Sequence, residues 1–394
     1  MLVYFGLELN LKIIKGCKKI RDEKMKIAII TLHRVYNYGS ALQAYATQKV
    51  FEKTGNEVVI IDYITPQRTK KKILFGSSAI KNKSGIKRIV YRFAKLGSLF
   101  LKEKTFGKFV RKMLNLSKRY ITVGDLEKET PLADLYITGS DQTWNSQYNE
   151  GVDRGFFLDF VPANAKRIAF VASFGKERLD DGEIALTQAY IQRYHALSVR
   201  EDSAKKILHD LGRSDAVHLI DPTLQIEKEE WLKIASKRLI KERYLILMLL
   251  YNEDNHATEY ARKIADEKGL KLVKLSWEFK RPKDIDKLMT HRSPSDFLSL
   301  FYYADFVVTN SFHGLAFSIN FEKEFIVVPR SEFNSRIESL LRLCGLENRL
   351  VDKEDKALQA SGAEIDYTPV SLILEGERGR AKEFIKSVTN KEVL

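Results

Sequence analysis

The sequence predicts an α/β fold with mainly parallel sheets that carry helices on both faces. Short apolar segments suited to buried strands alternate with segments of helical periodicity along the chain, which is typical of parallel sheets. The length of 394 residues allows two domains with ample cores. No internal repeat or low-complexity segment interrupts the pattern. The sequence therefore predicts two Rossmann-like domains.

The N-terminal domain is predicted to span residues 25–230. Its first strand, at 26–32, is followed by a helix at 40–54 whose apolar residues recur at helical spacing. Further strands are predicted at 57–62, 134–139, 166–173, 196–199 and 218–220. We take Met25 as the natural start, so that residues 1–24 form a non-native upstream extension. The alternative for residues 1–24 is a short amphipathic contact with a membrane.

The C-terminal domain is predicted to span residues 240–394, after a linker near 224–240, and to end in a helix. Strands are predicted at 244–250, 272–275, 304–308 and 325–328. Helices are predicted at 257–268, 297–303, 315–321, 339–345 and 371–386. Asp296 is predicted to cap the second of these helices, because Asp is a favoured N-cap residue.

The composition is that of a soluble globular protein, with 44% hydrophobic and 30% charged residues. No apolar run approaches the roughly 18–20 residues that span a bilayer. The two cysteines, Cys17 and Cys344, form neither a disulfide framework nor a metal-ligand spacing. A reducing, cytoplasmic compartment is therefore expected, and no metal site is predicted.

The net charge of +14 is concentrated in a basic segment, residues 68–119, which contains 17 Lys and Arg residues and one acid, Glu103. Two sets of apolar residues recur there at helical spacing and predict amphipathic helices. The sets are Ile86, Ile89, Val90, Phe93, Leu96 and Phe100, then Phe106, Phe109, Val110, Met113 and Leu114. The helices could pack normally with solvated Lys and Arg faces. They could instead contact an anionic membrane surface or a pyrophosphate-linked substrate. We expect no nucleic-acid partner, because no recognised nucleic-acid module is present.

Residues 309–314 form a small polar turn between a predicted strand and a predicted helix. Such a turn presents free backbone N–H groups and the positive end of the helix dipole, which suits an anion. It also carries His313, whose side chain can change charge near neutral pH. The alternative is that His313 caps the helix or fills a gap in the core.

Other predicted strands also end in residues suited to chemistry, and ligands of such sheets bind at the carboxyl ends of strands. Residues 37–40 resemble a loop that binds a phosphate or a sugar. Residues 139–145 resemble a surface that recognises a sugar, unless Trp144 lies in the core. Arg200 suits a carboxylate or phosphate, unless it forms a salt bridge with Glu201 or Asp221. Arg336 follows the last predicted strand of the sheet.

Six of these segments, in this order, resemble the polysaccharide pyruvyl transferase family over roughly residues 25–350. The segments are Asn37-Tyr38-Gly39-Ser40-Ala41-Leu42-Gln43, Gly139-Ser140-Asp141-Gln142-Thr143-Trp144-Asn145, Ala172-Ser173-Phe174-Gly175, Ser198-Val199-Arg200-Glu201, Asp221-Pro222-Thr223 and Ser311-Phe312-His313-Gly314. The resemblance implies a GT-B-like fold, in which two Rossmann-like domains face a cleft. It implies transfer of pyruvate from phosphoenolpyruvate, as a ketal, onto a sugar of a cell-surface or exopolysaccharide precursor. A lipid-linked acceptor at the inner face of the plasma membrane would suit the basic segment.

The resemblance also implies roles for individual residues. Arg200 would bind the donor, and His313 would bind the donor and act as acid or base. Asp141, the second catalytic candidate, and Asn37 would hold the acceptor or orient the site. Further substrate-binding candidates are Arg336 as a second cation, Gly39, Ser40, Gln142, Trp144, Ser173 and Ser311. Phosphoenolpyruvate is the donor substrate, and no cofactor or metal is implied.

The turn around His313 departs from the family in one position. Characterised pyruvyl transferases often read Ser-x-Arg-Leu-His-Gly, whereas here Ser311 stands in place of the arginine and Phe312 in place of the leucine. Arg336, Arg330 or a lysine could supply the missing cation. Two alternatives remain open at this point. One is a GT-B glycosyltransferase that uses a nucleotide sugar, and the other is a catalytically inactive glycan-binding protein.

Overall fold

The computed structural model describes residues 24–69, 72–73, 85–250, 255–277, 280–330 and 334–390. These residues form two sheets in which every strand is parallel to its neighbours. The strands of the first sheet are β1 (Lys26–Ile30), β2 (Glu57–Tyr63), β3 (Leu116–Tyr120), β4 (Leu135–Thr138), β5 (Lys166–Ala172), β6 (Ala196–Val199) and β7 (Val217–His218). Those of the second are β8 (Tyr244–Met248), β9 (Lys271–Ser276), β10 (Lys287–Thr290), β11 (Phe306–Thr309) and β12 (Glu324–Val327).

The strand orders are β3-β2-β1-β4-β5-β6-β7 and β10-β9-β8-β11-β12. The strand order reverses beside a central strand in each sheet, β1 in the first and β8 in the second. Ligands of open α/β sheets bind outside the carboxyl ends of the strands at such a point. The loops after β1 and β4, and the loop after β11, are therefore placed to build a site. The predicted α/β fold class with two Rossmann-like domains is confirmed.

The helices connect these strands and cover both faces of the sheets. They are α1 (Tyr38–Glu52), α2 (Gly85–Lys102), α3 (Lys108–Met113), α4 (Val123–Lys128), α5 (Ser146–Asn149), α6 (Asp181–Ile191), α7 (Asp202–Asp210), α8 (Pro222–Gln225), α9 (Lys228–Leu232), α10 (Asn255–Glu267), α11 (Pro294–Tyr302), α12 (Phe312–Asn320), α13 (Ser335–Cys344), α14 (Glu354–Gly362) and α15 (Tyr367–Thr389). No helix in the described part of the chain is long and apolar enough to cross a membrane.

The structure corrects three details of the predicted elements. The basic segment is not helical throughout, because Leu116–Tyr120 forms the edge strand β3, whose exposed and polar residues conceal the strand pattern. Helix α2 continues into α3 through a π-helical turn at Glu103–Gly107, so the two predicted helices are nearly one. Helix α11 begins three residues before the predicted start, since Ser293 is its N-cap and Asp296 completes the capping box from the first turn.

One continuous core joins the two domains. Along β1, Ile27 and Ile29 belong to one hydrophobic cluster, whereas Ala28 and Ile30 belong to a second cluster on the opposite face. The first cluster also contains Ile246 of β8, so it extends across both sheets. Because the two sheets share this core, the loops at their carboxyl ends are held in fixed positions relative to one another.

Trp231 of α9 is a central residue of this shared core. Its ring is fully buried between Tyr45 of α1, at 5.7 Å, and Phe317 of α12, at 5.1 Å. Its indole N–H donates to the Thr223 carbonyl at 3.2 Å. The C-terminal helix adds a second connection, because Phe384 of α15 lies 6.2 Å from Phe170 of β5. The last helix of the chain thus packs against the first sheet.

We expect Trp231→Ala to lower the free energy of unfolding by about 3–5 kcal/mol, because it removes a fully buried aromatic side chain at the junction of the domains. Urea denaturation followed by circular dichroism measures this effect. Leu132→Ala is the matched control, since Leu132 is 90% exposed, and it should change the value by less than about 0.5 kcal/mol. Equal effects of the two substitutions would contradict a shared core at Trp231.

Candidate active site

A cavity of about 260 Å³ lies in the cleft between the two sheets. Its walls come from the loop after β1, the loop after β4, the turn before α12 and the first turn of α13. The lining residues used below are Asn37, Ser40, Arg68, Asp141, Gln142, Ser311, Phe312, His313 and Arg336. The cavity therefore gathers residues that lie far apart in the sequence.

The first turns of three helices, α1, α12 and α13, line this cavity. Asn37 is the N-cap of α1, and its side-chain oxygen accepts hydrogen bonds from the Gly39 and Ser40 N–H groups at 2.9 and 3.4 Å. Ser311 is the N-cap of α12, and its hydroxyl accepts a hydrogen bond from the Gly314 N–H at 3.3 Å. Because helix N-termini carry partial positive charge, their convergence favours an anionic ligand.

Asp141 anchors the loop after β4. Its backbone has φ 77°, in the left-handed region that Asp tolerates better than most residues. One carboxylate oxygen accepts from the Ser40 hydroxyl at 2.5 Å, and the other accepts from the Gln142 N–H at 2.9 Å and from Arg200 at 3.3 Å. Burial would raise the pKa of Asp141, but Arg200 and His313 lower it. The carboxylate therefore stays ionised and serves to position its partners.

Arg200 lies behind Asp141 and does not line the cavity. Its side chain is fully buried, and it donates to Asp221 at 2.8 Å, with Glu201 3.7 Å away. Burial would lower the pKa of Arg200, but Asp221 and Asp141 outweigh it and raise the pKa. The structure therefore favours the salt-bridge alternative over direct contact between Arg200 and a ligand.

His313 lies at the wall of the cavity with a neutral imidazole. Burial, opposed mainly by Asp221, lowers its pKa to about 4. Its Nε2 atom has no hydrogen-bond partner among the described residues and lies 4.0 Å from Asp221. The ring also packs directly on Gly39, where a Cβ atom would lie 1.9 Å from Nδ1. Any larger residue at position 39 would displace the imidazole.

Arg336 supplies a further positive charge at the wall of the cavity. Within the described residues, no carboxylate lies within 4.0 Å of its guanidinium. Its partner is Gln142, whose amide oxygen, when turned toward it, accepts from both terminal nitrogens at 3.0 and 2.6 Å. Burial and Arg200 lower the pKa of Arg336 to about 10, so it remains charged at neutral pH. An unpaired guanidinium in a cleft favours binding of an anion.

Phe312 contacts both arginines of the site. Its ring lies 5.1 Å from the Arg200 guanidinium and 5.7 Å from that of Arg336, distances suited to cation–π contact. The aromatic ring thus favours both positive charges.

The structure brings together seven of the predicted site residues at the cavity: Asn37, Ser40, Asp141, Gln142, Ser311, His313 and Arg336. The other four, Gly39, Trp144, Ser173 and Arg200, do not line it. Trp144 lies in the core, stacked on Phe157 at 5.4 Å, which corrects its predicted place on a sugar-reading surface. Ser173 donates to Glu201 at 2.7 Å, behind the cavity.

Arg68 also lines the cavity, although in the sequence it stands out only as the first residue of the basic segment. It donates to the Asn149 side chain at 3.2 Å and to the Tyr148 carbonyl at 3.3 Å. No periodicity signals this placement, because it depends on how the chain turns after β2. Among the described residues, no group of three or more His, Cys, Asp and Glu side chains could hold a metal ion.

Solved structures with the same fold include UDP-GlcNAc 2-epimerase from Methanocaldococcus jannaschii in complex with UDP-GlcNAc and UDP (16% identity, 92% of this chain and 99% of that chain, TM-score 0.50). Others are Staphylococcus aureus MnaA with UDP (15%, 94% and 98%, 0.51) and UDP-N-acetylglucosamine 2-epimerase from Rickettsia bellii (13%, 93% and 96%, 0.51). These likenesses show the fold alone, the GT-B arrangement of two Rossmann-like domains that face a cleft.

No functionally curated protein matches the chain in sequence. The family model of polysaccharide pyruvyl transferases matches residues 37–332, which contain every residue described at the cavity except Arg336. This match covers more than half of the chain, and the chain therefore belongs to the polysaccharide pyruvyl transferase family.

Proposed function

We propose that this transferase moves pyruvate from phosphoenolpyruvate, as a ketal, onto a sugar of a cell-surface or exopolysaccharide precursor. The observation that carries the proposal is the guanidinium of Arg336, which has no carboxylate within 4.0 Å among the described residues and lines the cavity together with three helix N-termini and His313. Phosphoenolpyruvate carries a phosphate and a carboxylate, so it requires several positive groups in one place. Arg336, Arg68 and the first turns of α1 and α12 supply them.

His313 is the proposed general base. Its imidazole is neutral and lines the cavity, so we propose that it accepts a proton from an attacking sugar hydroxyl. The resulting imidazolium would lie 4.0 Å from the Asp221 carboxylate, which favours its positive charge. Asp221 thus acts through His313 and needs no contact with the substrate.

The reaction is balanced without a further reactant. One sugar hydroxyl forms a bond to C2 of the enolpyruvyl group and gives its proton to His313, while C3 takes a proton from water and becomes a methyl group. A second hydroxyl then bonds to C2 as the bond from C2 to the phosphate oxygen breaks with its electron pair, and the proton of this hydroxyl passes to the departing phosphate. His313 returns its proton to water. The products are the pyruvate ketal and inorganic phosphate.

We also propose that the enzyme works in the cytoplasm, at the inner face of the plasma membrane, on a lipid-linked acceptor. Helix α2 belongs to the basic segment, and Phe93, Leu96 and Phe100 on this helix are 70%, 45% and 69% exposed. These spacings of three and four residues place them on one face of the helix. Exposed aromatic residues within a strongly basic segment favour contact with an anionic lipid surface.

Arg336→Gln should weaken binding of phosphoenolpyruvate about 10–100-fold, because hydrogen bonds to a charged group are worth about 1.5–3 kcal/mol. Isothermal titration calorimetry measures the affinity. The matched control is Arg342→Gln on the same helix, since Arg342 is 66% exposed and should leave the affinity unchanged. Binding of UDP in place of phosphoenolpyruvate would contradict the proposal and favour a nucleotide-sugar glycosyltransferase.

His313→Gln should lower the rate of phosphate release 10²–10⁴-fold, the usual contribution of general base catalysis. The same substitution should flatten the pH dependence of stability. The pKa of His313 is about 4 in the folded protein and 6.5 ordinarily. As the pH falls, the imidazole is therefore protonated in the unfolded chain before it is protonated in the folded protein. The wild-type protein therefore loses stability as pH falls from about 6.5 to 4, whereas this loss is smaller in the variant.

Urea unfolding of both proteins at pH 7 and pH 5 tests the titration of His313. An equal loss of stability in the variant and the wild type would show that His313 is not held neutral by the fold. Unchanged phosphate release would instead contradict its role as base.

Phe93→Ser with Phe100→Ser should reduce recovery of the protein on phosphatidylglycerol vesicles at least tenfold, because each buried aromatic side chain contributes about 1.5–3 kcal/mol. Flotation in a density gradient measures the recovery. Leu132→Ser is the control, since Leu132 is an apolar residue with 90% exposure that lies outside the basic segment. Full recovery of the double variant would refute the membrane contact through α2.

A further inference from the structure

A second cavity of about 260 Å³ lies beside the active-site cavity. It is built at the carboxyl ends of β1, β2 and β3 and is covered by the π-helical turn at Glu103–Gly107. The two cavities share Val35 and Arg68 in their walls. A molecule that occupies the second cavity can therefore extend past Arg68 toward His313.

Three guanidinium groups line the second cavity, from Arg34, Arg68 and Arg119. Arg68 and Arg119 are the first and last residues of the basic segment, so the fold brings its two ends to one place. Arg119 is half-exposed, with a side-chain accessibility of 52%. No described carboxylate lies within 4.0 Å of Arg68.

The positive charge of this wall is only partly neutralised. Asp62 is buried and accepts from both Arg34, at 2.5 and 2.8 Å, and Arg119, at 3.2 Å. The Nε2–H group of His33 donates to the same carboxylate at 2.9 Å. One carboxylate therefore faces two arginines, which leaves one positive charge in excess on this wall, and Arg68 lies at the border with the active-site cavity. Such an excess favours a phosphate group, to which Arg side chains donate charge-assisted hydrogen bonds.

The opposite wall offers groups that suit a sugar ring. Tyr36 and Val110 are apolar surfaces, and Glu103 is an acceptor for hydroxyl groups. Glu103 is held by the Tyr36 hydroxyl at 3.2 Å and by Arg111. The π-helical turn places this carboxylate over the cavity, and such turns occur frequently at functional sites.

We propose that the second cavity binds the phosphate-bearing end of a phosphate-linked sugar, and that this sugar is the acceptor. The proposal rests on the proposed function, since an acceptor must lie beside the donor. Arg119, whose side chain is half-exposed, would hold the phosphate, and Arg68 would lie between acceptor and donor. The shared chemistry is a glycosyl phosphate, which nucleotide-linked and lipid-linked sugars both contain.

Calorimetric titration with N-acetylglucosamine 1-phosphate, N-acetylglucosamine and inorganic phosphate tests the proposal. The sugar phosphate should bind at least tenfold more tightly than either part alone. Arg119→Gln should weaken its binding about tenfold, and Arg119→Lys should restore part of the loss because it keeps the charge. Lys118→Gln is the matched control on the same strand, since Lys118 pairs with Glu129 and does not line the cavity.

Binding of phosphoenolpyruvate separates this proposal from the proposed function. Arg119→Gln should leave the affinity for phosphoenolpyruvate within twofold of the wild-type value, whereas Arg336→Gln should leave the affinity for the sugar phosphate unchanged. A parallel loss of both affinities in Arg119→Gln would overturn the second site. Wild-type binding of the sugar phosphate in Arg119→Gln would overturn it as well, whether or not phosphoenolpyruvate binds.

Two extended probes identify the source of the phosphate. UDP-N-acetylglucosamine represents a nucleotide-linked acceptor, and a short prenyl diphosphate carrying N-acetylglucosamine represents a lipid-linked one. Binding of either probe that weakens in Arg119→Gln supports the proposal and assigns the class of acceptor. Binding of neither probe, or binding that does not depend on Arg119, overturns it.

Discussion

The buried guanidinium of Arg200 is the group on which the geometry of the cleft depends. It donates to Asp221 and to Asp141, and these residues come from different loops at the carboxyl edge of the first sheet. Both carboxylates are buried, and without Arg200 each would be left with an uncompensated charge. Breaking a buried pair in this way costs about 3–5 kcal/mol, so the three loops are held in a single arrangement. Asp141 in turn fixes Ser40 at the start of α1.

The two arginines of the site differ in their surroundings: Arg200 joins loops through buried ion pairs, and Arg336 faces the cavity. Arg200 has acidic partners and no access to the cavity, whereas Arg336 lines the cavity and has no acidic partner within 4.0 Å in the described structure. A satisfied ion pair gains little from a ligand, but an unpaired guanidinium gains the full charge-assisted hydrogen bonds. The positive charge that faces the cavity without an acidic partner in the described structure therefore resides on α13, and His313 lines the same cavity with a neutral imidazole.

The apolar runs of the sequence predict much of the fold, but they do not predict in which direction an individual side chain points. The strand 196–199 is predicted at its observed bounds, because it is buried and followed by a charged turn. Strands β3 and β10 were missed, since half-exposed edge strands carry few apolar residues. The positions of Trp144 and Arg200 after their strands were predictable, yet both side chains turn away from the cleft. The direction in which these two side chains point depends on aromatic and acidic neighbours that are distant in sequence, such as Phe157 and Asp221.

The structure of the cleft explains how this chain can have Ser311 at a position where the family often has an arginine. Ser311 is 2% exposed and caps α12 with its hydroxyl, so this position now organises the helix start. Phe312 follows it and contacts Arg336 with its ring, which brings a guanidinium from α13 to the same turn. A cation at this turn is thus supplied by another element. A ligand with two anionic groups requires positive charge in the cleft, and it places no demand on which helix carries that charge.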